Sequence, residues 1–168
     1  MTTLAELYLP DFDQEMANTR RVLERIPTEK FDYSPHGKSW KMGGLATHVA
    51  NLPTWATLMI DNDSFDIAPP GQPPMRAPEQ KSTEELLAYF EKNSKSARAS
   101  IESASDDLLQ GEWTLLAAGN KILSAPRFRL LRNFVLHHLI HHRAQLTVYM
   151  RVNDIPLPGL YGPTADER

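Results

Sequence analysis

The sequence predicts an all-α protein, a four-helix bundle with a small β-hairpin between helices three and four. Four segments place apolar residues alternately three and four positions apart, the period of a helix with one buried face. Those periods break at Pro27, across the cluster from Pro69 to Pro78, and again before Pro126. Between the third and fourth segments, two short apolar runs flank Gly119 and Asn120, a hairpin pattern. With 168 residues the chain suits a single domain, residues 1–168, large enough to bury a core without staples.

Helix one is read over Asp11 to Ile26, where Phe12, Met16, Thr19, Leu23 and Ile26 form one row. Pro27 stops it, and the loop to Ser39, with Pro35 and Gly37, leaves His36 solvated. Helix two is expected from Lys41–Gly43 to about Ile60, with the inward row Leu45, His48, Leu52, Trp55 and Met59. Pro53 should kink it one turn past His48. An imidazole in such a stripe needs a partner, because burying it alone costs about 1–3 kcal/mol.

From Asp61 to Ser82 no period is visible, and so long an irregular stretch is expected to cover a binding site or make a long crossover. Helix three opens on Ser82 or Thr83 followed by Glu84 and Glu85, a capping signature. Its inward row reads Leu87, Phe90, Ser94, Ala97, Ile101, Ala104 and Leu108, and it ends within residues 106–111. Residues 112–124 form the hairpin. Helix four follows from Pro126 to about Asn153, and the tail beyond it reads as a packed arm or a segment ordered on dimerisation.

The fourth helix carries the chemistry. Its stretch NFVLHHLIHHRAQ, Asn133 to Gln145, holds four of the six histidines. His137 pairs with His141 and His138 with His142, each pair four residues apart and so on one face. The row through His138 and His142 continues as Leu131, Val135, Leu146, Tyr149 and Val152, which turns that pair toward the core. A modest rotation of the helix would exchange His142 for His141. With His48 on helix two, three imidazoles converge, and three histidines on a divalent ion leave positions open, as in a reactive rather than a structural site. No carboxylate on these rows closes the set. Gln145 and Tyr149 could orient a ligand histidine or form a polar rim, and Trp55 and Trp113 belong to a pocket or to the core.

Composition narrows the chemistry. The chain has no cysteine, so disulfides, thiolate ligands and a cysteine nucleophile are excluded, and any metal must use histidine, carboxylate and water. A net charge of -3 with interspersed signs excludes the footprint of a nucleic-acid binder, and Arg127, Arg129 and Arg132 read as the outer side of an amphipathic helix. Neither a leader peptide nor a membrane span is visible, so a cytoplasmic location is expected.

The segments SWKMGGLATHVANLP, HHLIHHRAQLTVYMR and IPLPGLYGPTADE together resemble the DinB/YfiT-like family of metal-dependent proteins, from the first helix to the tail. The resemblance implies a four-helix bundle with an unusual helix order, and a divalent metal on His48, His138 and His142. Zinc or nickel comes first, with iron, cobalt or manganese also compatible. It implies a homodimer and a small-molecule substrate. Some relatives resemble thiol transferases that conjugate a low-molecular-weight thiol to an electrophile; others resemble hydrolases or isomerases. The expected function is therefore a metal-dependent transferase or hydrolase using an activated thiol or water, and the thiol must arrive as a cosubstrate. The alternative is a non-catalytic metal- or small-molecule-binding bundle of stress response. This chain departs from the family pattern in lacking a small polar cap before Gly43, which predicts a frayed start to helix two, and in having Ala144 and Asp154 where glycine is common.

Overall fold

The structure is a computed structural model that describes residues 2–167. Helix α1 spans Leu4–Leu23 and starts seven residues before the sequence-based expectation. Thr3 and Glu6 account for this. The Thr3 hydroxyl accepts from the Glu6 amide at 3.1 Å and the Glu6 carboxylate accepts from the Thr3 amide at 2.8 Å, a reciprocal cap strong enough to start a helix ahead of Pro10. The last turn tightens, with the Ile26 amide donating to the Leu23 carbonyl, and Ile26 is fully buried just outside the helix.

Helix two is two helices, α2 Met42–Asn51 and α3 Thr54–Asp61, separated at Pro53 where a kink was expected. Local bonds repair the break: the Leu52 amide reaches the Val49 carbonyl, and the Thr54 hydroxyl donates to the Asn51 carbonyl at 2.7 Å. The start of α2 is held, not frayed. Lacking a side-chain cap, it donates the Met42 and Gly43 amides to the carbonyls of Tyr33 and Phe31 at 2.8 and 2.9 Å. A Cβ on Gly43 would lie 2.8 Å from Phe31, so this close approach requires glycine.

The stretch read as structureless contains strand β1, Ser64–Asp66. It pairs in parallel with β2, Glu112–Ala117, which pairs antiparallel with β3, Asn120–Pro126. The expected hairpin is thus part of a three-stranded sheet. Ala118 and Gly119, both at positive φ, make its turn, and the Asp66 carboxylate accepts the amides of Ala68, Ala118 and Gly119, pinning β1 to that turn.

Helix α4, Thr83–Ser103, is capped by Ser82 as its sequence indicates. It stops at Ala104, whose backbone is extended, and Ser105 caps a separate short helix α5, Asp106–Gln110. Its buried face is Leu86, Phe90, Asn93, Ala97 and Ile101, rotated from the expected row. The rotation brings Asn93 inward, where its amide donates to the Ala50 carbonyl beside the Pro53 break.

The last helical stretch begins with α6, Arg127–Leu130, passes through a π-helical segment, Leu131–His137, and continues as α7, His138–Val152. The wider π turns shift the phase of the faces. The deep row is therefore Leu131, Val135, Leu139, Arg143, Leu146 and Met150, while His138 and His142 lie half-buried on its flank and Val152 is 64 % exposed. This corrects the expectation that the histidine pair faces the core. Asp154, at φ 57°, ends the helix in the left-handed conformation that glycine commonly takes.

Helices α1 and α2 both pack on α4, and α7 packs on α1 and α2. The result is a mostly helical fold with a small sheet at its side, not four uninterrupted rods with a hairpin. The tail is a packed arm: the Arg21 guanidinium donates to the Gly159 carbonyl, and the Asp166 and Glu167 carboxylates pair with Arg151 and Arg25. Among the described residues no helix is long and apolar enough to cross a membrane.

Candidate metal centre

His48 comes from the last turn of α2, and His138 and His142 from successive turns of α7, which packs against it. His138 Nε2 lies 3.4 Å from His48 Nε2 and 2.9 Å from His142 Nε2. One donor nitrogen from each ring falls within 4.8 Å of the others, and the group could hold a metal ion. The spacing suits one. With metal–nitrogen bonds of about 2.0–2.1 Å, two nitrogens on one ion stand about 2.9 Å apart at a right angle and about 3.4 Å apart at the tetrahedral angle.

The protonation states suit it too. Burial, followed by the neighbouring His142 and His138, pushes His48 down to about 4. Burial, then His142, also lowers His138. Rings held neutral offer the lone pairs a cation needs. Among the described residues no carboxylate joins the group, so the ligand set stops at three.

A neighbouring side chain orients one of the rings. Gln145 Oε1 accepts from His142 Nδ1 at 2.8 Å, which fixes the tautomer that leaves His142 Nε2 as a lone-pair donor. The Gln145 amide nitrogen donates to His141 Nε2 at 3.1 Å, so His141, exposed on the outer face, stays outside the group. His137 is exposed, and His36 accepts the Lys38 amide within its loop.

Trp40, 52 % exposed, covers the rings from outside, stacked 6.0 Å from His142 and edge-on at 5.0 Å to His48. A cleft of about 550 Å³ opens beside His48 under the segment after β1. Trp55 lines it, edge-on to Phe134, whereas Trp113 lies in the core with no exposure. Tyr149 packs edge-on against Tyr33 and lines a smaller hollow with His142 and Gln145.

Behind α7 sits a buried polar network. Arg143, the neighbour of His142, donates to the Glu15 carboxylate at 2.6 Å, to the Glu15 carbonyl and Thr19 hydroxyl at 3.1 Å, and to the Tyr161 hydroxyl, which donates in turn to Glu15 at 2.7 Å. Sequence reasoning missed Trp40, Glu15, Arg143 and Tyr161. No row read from the sequence included Glu15 or Arg143, although Glu15 stands beside Met16 and one turn before Thr19.

A mostly helical fold presenting three convergent imidazoles beside an open cleft defines a class of histidine-only candidate metal proteins. The chain belongs to the DinB family, whose model matches residues 1–167. It is 25% identical over 166 residues to the uncharacterized protein YrdA of Bacillus subtilis (strain 168), spanning 95% of this chain and 89% of that one. Its fold resembles the crystal structure of a DinB-like protein from Bacillus cereus ATCC 10987, with TM-score 0.71 at 18% identity over 92% of this chain and 95% of that one. The DinB-like protein YjoA of Bacillus subtilis is similar as well, with TM-score 0.67 at 20% identity over 92% of this chain and 98% of the other.

Proposed function

We propose that the protein is a metal-dependent enzyme of the thiol-transferase type, acting on a small molecule with a divalent ion held by His48, His138 and His142. The observation that carries this reading is the convergence of three imidazoles next to a cleft of metabolite size. A divalent ion bound there would lower the pKa of a thiol or water at an open position and so supply a nucleophile near neutral pH. The chain's own residues do the rest. Gln145 holds His142, and Trp40 shields the rings from bulk water. Because the chain has no cysteine, the thiol must come from a cosubstrate.

Elemental analysis of untagged protein purified without chelator tests the reading, for wild type and for His138→Ala. Near-stoichiometric zinc or nickel in the wild type, lost in the variant, is the expected result, to be followed by a screen of thiols against electrophiles. Wild type that holds no metal after incubation with either ion would overturn it.

A further inference from the structure

The cleft beside His48 has polar groups that the fold leaves unused. Thr47 is 6 % exposed, lines the cleft, and its hydroxyl has no hydrogen-bond partner among the described residues. A helical threonine ordinarily has the carbonyl four residues back within reach, so a buried hydroxyl left without a partner at a cleft wall is a donor that a ligand can claim. Asn51, one turn on, accepts the Tyr89 hydroxyl at 2.6 Å on Oδ1. That bond fixes the amide and leaves Nδ2 as a donor without a partner among the described residues. Arg76 lines the opposite wall and forms no ion pair among the described residues. Glu79, the acid of that wall, has its charge close enough to Lys41 to act on it. The remaining wall is apolar, with Trp40 and Trp55 as its largest surfaces, and the Met75 amide donates to the Ile67 carbonyl at 2.8 Å to hold the covering segment in place.

Two neutral donors, an unpaired guanidinium and an aromatic wall select for an acceptor-rich anionic head on an apolar body. We propose that this cleft binds a small carboxylic acid with an aromatic or branched aliphatic body, its carboxylate held by Arg76 and Thr47 and its body against Trp40 and Trp55. The assignment rests on reading the neighbouring histidines as a reaction centre and names the substrate class for it. Thr47 adjoins His48 on α2, so a carboxylate held by Thr47 and Arg76 places the adjoining carbons of the acid beside the histidine group. Thr47 and Arg76 are thus specificity-determining residues.

The test uses the full chain loaded with zinc, with hydrocinnamate as probe and hydrocinnamyl alcohol as its uncharged counterpart, read by quenching of tryptophan fluorescence and by calorimetry. Saturable binding of hydrocinnamate is expected, with the alcohol at least about tenfold weaker, and Thr47→Val and Arg76→Gln each weakening the acid by about tenfold. Both variants should keep zinc, and Thr47→Val should melt no lower than wild type, which separates a lost contact from a lost fold. Equal affinity for acid and alcohol, unchanged affinity in both variants, or no saturable binding would overturn the proposal. His138→Ala separates the two readings. Binding that disappears with the metal yet ignores Thr47 and Arg76 means that the carboxylate sits on the ion, and the proposed subsite is wrong. If the protein holds no metal, the reaction centre fails on its own, and hydrocinnamate binding to the metal-free chain still decides the cleft.

Discussion

Replacing Arg143 with methionine tests whether the buried network behind the histidines holds the fold as its geometry indicates. Methionine keeps most of the length of the side chain and removes the guanidinium. Arg143 is 1 % exposed and Glu15 is also buried, so the variant leaves a carboxylate inside the protein. Breaking a buried pair by removing one partner costs about 3–5 kcal/mol. The Tyr161 hydroxyl still donates to Glu15 at 2.7 Å, and a hydrogen bond to a charged group offsets part of that loss, on the order of 1–2 kcal/mol. The net destabilisation is then about 1–4 kcal/mol, and for a chain of this size each kcal/mol moves Tm by roughly 2–4 °C, so a fall of roughly 2–16 °C is expected. Thermal unfolding of the metal-free protein followed by circular dichroism measures it. The double variant Arg143→Met with Glu15→Leu should recover much of the loss, because an apolar pair of similar volume needs no compensation. A single variant that melts within ~1 °C of wild type would refute the reasoning, since the pair would then be exchanging freely with water.

Other perturbations report on the site and on the start of α2. Gln145→Leu should lower zinc affinity about 10- to 100-fold with little change in Tm, because Gln145 is exposed and acts by orienting His142; competition with a fluorescent chelator checks this. Gly43→Ala forces a methyl group to 2.8 Å from Phe31 and should cost about 1–3 kcal/mol in urea unfolding, partly regained with Phe31→Leu. Stability of the metal-free protein should rise with pH through the acid range. His48 is held down to about 4 in the fold, while the unfolded chain takes up its proton near pH ~6.5. Between those values the unfolded state binds more protons, so stability is lost as pH falls through that window and is level above it. His138, also lowered, adds to the slope, and His48→Gln should flatten the curve of urea midpoint against pH.

The local sequence determined which residues could form the helices, the turn and the metal group. The Ser82 cap, the Pro53 break, the Gly119 turn and the four-residue spacing of His138 and His142 act within one or two turns of chain, and such signals survive without knowledge of what packs against them. The proximity of His48 to the other two was legible because two periodic rows each carried a histidine. Tertiary structure decided what depends on partners distant in the chain. Strand β1 has only three residues and exists because β2, far along the chain, pairs with it; no period can declare so short a strand. The face of α7 was set by the π-helical stretch, which changes the residues per turn ahead of the histidines and moves His138 and His142 from the core to its flank. Glu15, Arg143 and Tyr161 could be recognised as interior groups only once three segments of chain met, because a buried charge is stable only beside its partner and the partner is not encoded nearby.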